Sequence, residues 1–167
     1  MALTKFRVFP LHDILFNHHG VPSCTCPLGA RCDSIGKHPM VPWKNYVENT
    51  KGPGGGYGIQ TGRFNDILVV DLANKSSVRA FTALGPIPET LSVLTPSGGL
   101  HLYFRLPPDV HVSTSHGVLG PGIDIKGEGG FVVGPGSPGL ISNGGVYQEP
   151  VGSLADLSDL SIKRFWN

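Results

Sequence analysis

Residues 67–71 read ILVVD, an uninterrupted apolar run that ends on a carboxylate. A run of this kind is typical of a strand that is buried on both faces of a sheet. Residues 100–106 (LHLYFRL) alternate between apolar and polar side chains, which indicates a strand with His101 on its polar face. Further strands are predicted over residues 91–95, 123–126 and 131–133. Together these segments predict a mostly antiparallel sheet.

The remaining segments predict a domain with few helices. Residues 74–84 indicate a short helix with Asn74 as its N-cap. A second helix is predicted over residues 153–160, and residues 51–58 (KGPGGGYG) are interpreted as a flexible turn. The 24 glycines, the 15 prolines and the low charged fraction of 15% favour a loop-rich fold over a helical bundle. We therefore expect a single α/β or α+β domain over residues 1–167.

Charge and hydropathy exclude some broad classes of protein. The net charge is +1 at pH 7, so the chain lacks the basic excess that nucleic-acid-binding proteins usually show, and any contact with DNA depends on local charges. No apolar run approaches the roughly 18 to 20 residues that cross a membrane. Residues 1–10 also lack the apolar segment of a secretory signal. We expect a soluble, cytoplasmic protein without a membrane partner.

All three cysteines lie within one short segment. Cys24, Cys26, Cys32 and His38 follow the spacing C-x-C-x5-C-x5-H. An odd number of cysteines in a cytoplasmic protein argues against a disulfide framework, and three thiolates with one imidazole complete the tetrahedral shell of structural zinc. The tight C-x-C pair indicates a zinc site less specifically than the common C-x2-C pair does. Three reduced cysteines in a loop are therefore the alternative. We expect residues 24–38 to bind Zn²⁺ for structure and not for catalysis.

Two carboxylates and one histidine fall on the predicted strands. Asp71 ends its strand, His101 lies near the start of another, and Asp124 lies between Ile123 and Ile125. A carboxylate among apolar residues is costly to bury unless it is paired or binds a cation. These three residues are therefore candidates for a divalent-metal site (Mg²⁺ or Mn²⁺) that serves phosphoryl transfer. The alternative is that both aspartates cap turns and that His101 is hydrogen-bonded.

The loop TPSGG at residues 95–99 leads directly into the His101 strand. Gly98 and Gly99 permit backbone N–H groups to approach an anion closely, and Ser97 adds a hydroxyl donor. A plain hairpin turn explains the same residues. The chain contains no G-x4-G-K-[ST] sequence, so this loop is not a Walker P-loop.

Five motifs follow one another along the chain: C-x-C…C…GKHP, YGIQTGR, ILVVDLA, TPSGGLHLYF and GPGIDIKGEGGFVVGP. In this order they resemble the bifunctional primase-polymerase (prim-pol) family of the archaeo-eukaryotic primase superfamily. Members of this family occur in phage, plasmid and prophage replication proteins. The resemblance implies a primase catalytic core, in which an RRM-like, mostly antiparallel sheet joins a second α/β unit and a zinc-binding loop. The active site of such a core lies between the two units.

The resemblance also implies the roles of individual residues. The acid pair of the family's first motif corresponds to Asp71 and position 73, and the single acid of its third motif to Asp124. His101 resembles the histidine that contacts the phosphates of the incoming nucleotide. Two metal ions would then activate the primer 3′-hydroxyl and hold the triphosphate. The implied nucleotide-binding residues, several of which are expected to neutralise phosphate oxygens, are Thr61, Gly62, Arg63, Ser97, Gly98, Gly99, His101 and Lys126.

Substrates and partners follow from the same resemblance. It implies synthesis of primers and DNA from NTPs or dNTPs on a single-stranded DNA template, in the cytoplasm of a bacterial host. Family members commonly continue into a replicative helicase. We therefore expect a catalytic domain excised from a longer replication protein, with a C-terminal helicase region or a partner helicase.

One position departs from the family pattern. Ala73 stands where the family has its second metal-binding acid, and Asn74 does not replace it, because successive side chains of a strand point to opposite faces. The chain is thus expected to bind nucleotides and to polymerise poorly. An engineered knockout or a natural loss of activity explains Ala73, and the otherwise intact motifs favour the knockout. A non-catalytic zinc-stabilised nucleotide- or nucleic-acid-binding module, a metal-dependent nuclease and a domain without enzymatic role are the competing functions.

Overall fold

The computed structural model describes residues 5–141 and 145–161 as a mixed α+β chain in which most strand pairs are antiparallel. The strands are β1 Val8–Pro10, β2 Ile14–Phe16, β3 Pro22–Cys24, β4 Tyr57–Gln60, β5 Ile67–Leu72, β6 Leu91–Leu94, β7 Leu100–Arg105, β8 Ser115–His116, β9 Ile123–Lys126, β10 Phe131–Val133 and β11 Ala155–Asp156. The helices within these ranges are one α-helix, α1 at Lys75–Thr82, and short 3-10 helices at Gly29–Arg31, Trp43–Asn45 and Leu157–Asp159. No helix in the described ranges is long and apolar enough to cross a membrane.

Strand β5 is the centre of the larger sheet. It pairs antiparallel with β7 on one side and with β9 on the other, and β8 extends the sheet beyond β9. The far edge of β7 is shared by β6 and by β11, which runs parallel to β7. Ile67 and Val69 face one core, Leu68 and Val70 face another, and all four side chains are fully buried. The prediction of a strand buried on both faces is confirmed for this apolar run.

A second sheet, with strand order β1-β4-β10, covers the face of the larger sheet that carries His101. Phe9 and Ile59 from this second sheet pack in one core with Val69 and Tyr103 from the larger sheet. The polar face of β7 is therefore covered at its centre, since His101 is only 4% exposed and Tyr103 is fully buried. The alternation of apolar and polar residues in one strand does not show whether a second sheet, formed by distant parts of the chain, packs on that strand.

Helix α1 packs on the opposite face of the larger sheet, where Phe81 is fully buried. The side-chain oxygen of Asn74 accepts hydrogen bonds from the N–H groups of Ser76 and Ser77, at 2.9 and 3.1 Å. The Ser77 hydroxyl in turn accepts the N–H of Asn74 at 3.0 Å, which completes a reciprocal capping box. The predicted N-cap is confirmed, and the helix ends at Thr82, two residues earlier than predicted.

Replacing Asn74 with alanine is expected to lower the free energy of unfolding by about 1 kcal/mol, because alanine accepts neither of the two N–H groups. Urea denaturation followed by circular dichroism measures this change. Asn74→Asp is the control, since aspartate caps helices equally well. Equal stability of Asn74→Ala and the unaltered chain would contradict the assigned cap.

Two predicted segments have a different structure. Tyr57 and Gly58, predicted within a flexible turn, lie in the buried strand β4, where a Cβ at Gly58 would come within 2.2 Å of the Phe9 ring. Residues 153–160 form strand β11 and a 3-10 turn instead of a second helix. The leucines of this segment recur every three residues, which is the period of a 3-10 helix and not of an α-helix.

Candidate active site

Four polar residues form a row across four neighbouring strands of the larger sheet. Strand pairing places His101 of β7 opposite Asp71 of β5, and Asp71 opposite Asp124 of β9. His116 of β8 lies opposite Asp124 at the end of the row. Side chains that are directly opposite in a sheet share a face. The structure thus brings Asp71, His101 and Asp124 together and adds His116 to them.

The carboxylate of Asp124 is held by neighbouring polar groups. Its Oδ2 lies 2.7 Å from Nδ1 of His116 and 3.1 Å from Nζ of Lys126, and its Oδ1 accepts the N–H of Gly117 at 3.2 Å. Partial burial raises the pKa of Asp124, but the hydrogen bonds from His116 and Lys126 outweigh it, so the pKa lies below its ordinary value. Asp124 is therefore ionised at neutral pH and fixed in orientation.

The imidazole of His101 lies beside Asp71, with 3.5 Å between its Nε2 and Oδ1 of Asp71. Its ring also lies 5.5 Å from the Tyr147 ring, measured between centroids. Burial lowers the pKa of His101 to about 4, and the charge of Asp71 offsets this only in part. His101 is therefore uncharged at neutral pH. A neutral imidazole offers a phosphate oxygen a hydrogen bond and not a full positive charge.

The row borders a cleft of about 230 Å³ between the two sheets. Asp71, His101 and Lys126 line this cleft, which makes its floor both acidic and basic. The other residues that line it come from several loops and from the second sheet: Lys37, Trp43, Thr114, His116, Gly129, Gly130, Phe131, Val132, Val133 and Tyr147. Its two lysines and its open volume suit a small anionic ligand.

The cysteine segment gathers a second polar cluster. Cys24, Cys26, Cys32 and His38 each bring one ligand atom to within 4.8 Å of the others. Nδ1 of His38 lies 3.3 Å from Sγ of Cys32 and 3.9 Å from Sγ of Cys24, spacings that suit ligands about 2.0–2.3 Å from a shared zinc ion. Within residues 5–141 and 145–161 this is the one group of three or more His, Cys, Asp or Glu residues whose ligand atoms all lie that close together. The group can hold zinc.

The thiol pKa values of the cluster shift in opposite directions, since burial raises the pKa of Cys24 to about 11. Burial raises the pKa of the Cys26 thiol, but hydrogen bonds from the N–H of Leu28 and from the other members of the cluster outweigh it and lower the pKa to about 7. A lower pKa favours the thiolate, which is the form that binds zinc.

The chain matches one known protein family over most of its length. The family model of the bifunctional DNA primase/polymerase N-terminal domain (Prim-Pol) matches residues 1–159 of the 167. The chain belongs to the Prim-Pol family. Membership implies the nucleotidyl transfer of a DNA primase and polymerase, with binding of DNA and nucleotides. Comparison with curated proteins gives no match.

The Prim-Pol loop at residues 95–99 is a tight turn packed against the end of β5. Gly98 and Gly99 donate their N–H groups to Thr95 within the turn, at 2.9 and 3.1 Å, so both donors are already paired. The Ser97 hydroxyl donates to the carbonyl of Ala73 at 2.9 Å. A Cβ at Gly99 would lie 1.9 Å from a backbone oxygen of β5, so this glycine permits the close approach of two segments.

Thr61, Gly62 and Arg63 form the turn between β4 and β5, outside the cleft of this Prim-Pol domain. The Thr61 hydroxyl donates to the carbonyl of Gly127 at 2.7 Å, and Gly62 has a left-handed φ of +79°. The guanidinium of Arg63 donates to backbone carbonyls of residues 106–110. The structure therefore does not bring these predicted nucleotide-binding residues to the acidic row.

Arg63→Ala is expected to lower the free energy of unfolding by about 2 kcal/mol, because the carbonyls of Leu106 and Val110 lose the donor that Arg63 provides. The affinity for dATP should stay within about twofold, since Arg63 does not line the cleft. Urea denaturation and calorimetric titration measure the two quantities, and Arg79→Ala on the surface of α1 is the control. A tenfold loss of dATP affinity at unchanged stability would show that Arg63 does contact the nucleotide.

Ala73 continues the pairing of β5 beyond its last residue, since its N–H donates to the carbonyl of Gly122 at 2.9 Å. Strand β5 itself ends at Leu72, and an alternation continued by one residue would place position 73 on the face of Asp71. Alanine offers no ligand atom at this position. Asp71 and Asp124 are therefore the two carboxylates of the row.

Some cleft residues were not predicted as parts of the site. His116 and Tyr147 lie in segments without a periodic pattern, so the sequence contains no signal for either. Lys37 directly precedes His38 of the cysteine cluster, and nothing in that spacing indicates that its side chain lines the cleft.

Proposed function

We propose that this domain adds nucleotides from NTPs or dNTPs to a primer on a single-stranded DNA template, and that Ala73 makes the chain a weak or inactive catalyst. The observation that carries the proposal is the strand register that places Asp71 directly opposite Asp124, beside a cleft lined by two lysines. Nucleotidyl transfer needs this combination, because its phosphates are anionic and their metal ions prefer carboxylate oxygens. A helicase region or partner stays a prediction from the family resemblance.

The two carboxylates suit a divalent cation. Mg²⁺ is usually bound by one or two carboxylates together with substrate phosphates, and Mn²⁺ has similar preferences. Asp71 and Asp124 would hold Mg²⁺ or Mn²⁺ together with the triphosphate. Such an ion, when bound, neutralises phosphate charge and makes the attacking hydroxyl more acidic. A two-metal site needs a further acid, which position 73 does not supply in this chain.

The neighbouring residues orient these carboxylates and attract the substrate. His116 and the N–H of Gly117 restrain Asp124, and His101 lies against Asp71 from the buried side. The ammonium groups of Lys37 and Lys126 give the cleft a positive charge that attracts an anionic substrate. This division of roles leaves His101 as a positioning residue for Asp71.

A non-catalytic binding module is the second candidate function. Its support is that Lys126 already compensates the charge of Asp124 and that His116 lies within hydrogen-bond distance of the same carboxylate, so the folded chain needs no metal ion there. Such a module would bind nucleotides or DNA, and an acid at position 73 would not give it a new activity.

Calorimetric titration of dATP with and without Mn²⁺ tests whether the carboxylate row binds a metal-nucleotide complex. We expect Mn²⁺ to tighten dATP binding to the unaltered chain, and Asp71→Asn to abolish most of this gain, because it removes one of two charged ligands. Asp109→Asn, an exposed carboxylate outside the cleft, is the matched control. Binding that is indifferent to both Mn²⁺ and Asp71 would overturn the metal site.

A further inference from the structure

Lys37 connects the cysteine cluster with the cleft. It precedes the cluster member His38 in the chain, and it lines the cleft together with Asp71 and His101. It also lines an adjoining, mainly apolar hollow of about 290 Å³, whose walls include Ser97. Lys37 therefore lies where the two hollows meet.

The ammonium group of Lys37 is available to a ligand. The other lysine of the cleft, Lys126, is paired with Asp124 at 3.1 Å. In the described part of the chain, by contrast, Lys37 takes part in no ion pair, and its side chain is exposed.

The backbone around Lys37 is restrained on both sides. Its N–H donates to the carbonyl of Ser34 at 2.8 Å, and the carbonyl of His38 accepts the N–H of His12 at 2.8 Å. Gly36 has a φ of +77°, and a Cβ there would lie 2.8 Å from Cδ1 of Ile14. The backbone that carries Lys37 is therefore held in place on both sides of the residue.

We propose that Lys37 is a binding residue for the phosphate groups of the incoming nucleoside triphosphate and that the cysteine cluster positions it there. The cluster thereby contributes to substrate binding as well as to structure. This inference rests on the proposed function. Phosphates of a DNA template offer the same oxygen atoms, but the position of Lys37 beside Asp71 and His101 favours the nucleotide.

Titration with dATP in the presence of Mn²⁺ tests the lysine. Lys37→Ala is expected to weaken dATP binding about tenfold, the loss that one charge-assisted hydrogen bond predicts. Lys37→Arg should retain most of the affinity, and deoxyadenosine without phosphates should not distinguish the variants. Lys44→Ala is the matched control, because Lys44 lies on the same segment but outside the cleft. Equal affinity for dATP in Lys37→Ala and the unaltered chain would overturn the proposal.

A single-stranded oligonucleotide in the same titration separates the two sources of phosphate. We expect Lys37→Ala to leave oligonucleotide affinity within about twofold. Weaker oligonucleotide binding at unchanged dATP affinity would make Lys37 a template contact and overturn the proposal. If Asp71→Asn weakens Mn²⁺-dATP binding and Lys37→Ala does not, the proposed function stands and this inference falls. If the unaltered chain binds no dATP, both fall.

Gly36→Ala tests the positioning by the loop, because it strains the turn without removing a ligand of the cluster. We expect it to weaken dATP binding in the chain that has Lys37 and to cause no further loss in Lys37→Ala. Circular dichroism checks that each variant is folded. Losses that multiply in the double variant would show that the turn does not act through Lys37.

Discussion

Ala73→Asp is expected to raise template-directed incorporation of dNTPs by at least about 100-fold over the unaltered chain. The new carboxylate would follow Asp71 on the same face of the strand, roughly 6.5–7 Å further along the chain. It would complete the acid pair of the Prim-Pol family and supply the ligand that a second metal ion needs. Extension of a labelled primer on single-stranded DNA, with Mn²⁺ or Mg²⁺, measures the rate.

Two further variants show whether this gain comes from metal binding. Ala73→Asn has nearly the shape of aspartate without its charge and is expected to stay close to the unaltered chain. Asp71→Asn, introduced into the Ala73→Asp variant, should return incorporation to the starting level, because the two acids act as one unit. Robust extension by the unaltered chain would show that position 73 is not required as a metal ligand.

Loss of a zinc ligand is expected to have the largest effect on stability. Cys32→Ser should lower the free energy of unfolding by several kcal/mol, since structural zinc binding contributes directly to folding. The three cysteines form their own small buried cluster, and Ile35 is the hydrophobic residue packed against it. Little apolar burial therefore replaces a lost metal. For a chain of this size the melting temperature should fall by roughly 10 °C.

Metal analysis and thermal denaturation of the purified chain measure this effect. Ser34→Ala lies in the same loop, removes no cluster ligand and is the matched control. We expect about one zinc ion per unaltered chain and less in Cys32→Ser. If the unaltered chain is purified without zinc and melts at the same temperature as Cys32→Ser, the result contradicts a structural zinc site and supports three reduced cysteines.

The elements predicted correctly from sequence are those that local residues determine. The apolar run at residues 67–70 forms a buried strand because each of its side chains is apolar. Asn74 caps α1 because its own side chain supplies the acceptor. The burial of His101 and Tyr103 follows instead from the second sheet, whose strands β1, β4 and β10 come from distant parts of the chain. No pattern within β7 contains that information.

The candidate site shows the same division. Asp71, His101 and Asp124 lie in strands with clear patterns, and strand register places them opposite one another. His116 joins them through a two-residue strand that has no sequence signal. Arg63 shows the reverse case, because its motif predicts a nucleotide contact and its guanidinium instead binds backbone carbonyls. Motifs identify residues that belong together in a family, whereas their contacts depend on the packing of the loops.

The template dependence of the Ala73→Asp variant tests the central claim most directly. The measurement supplies each of the four dNTPs separately, with a primer on templates whose next base is varied, and it records both extension and shortening of the labelled strand. Template-directed nucleotidyl transfer predicts that each template directs incorporation of its complementary nucleotide. Shortening of the strand without added dNTPs would instead indicate a nuclease. No reaction, from a folded variant that still binds dATP, would contradict the account and favour a non-catalytic binding module.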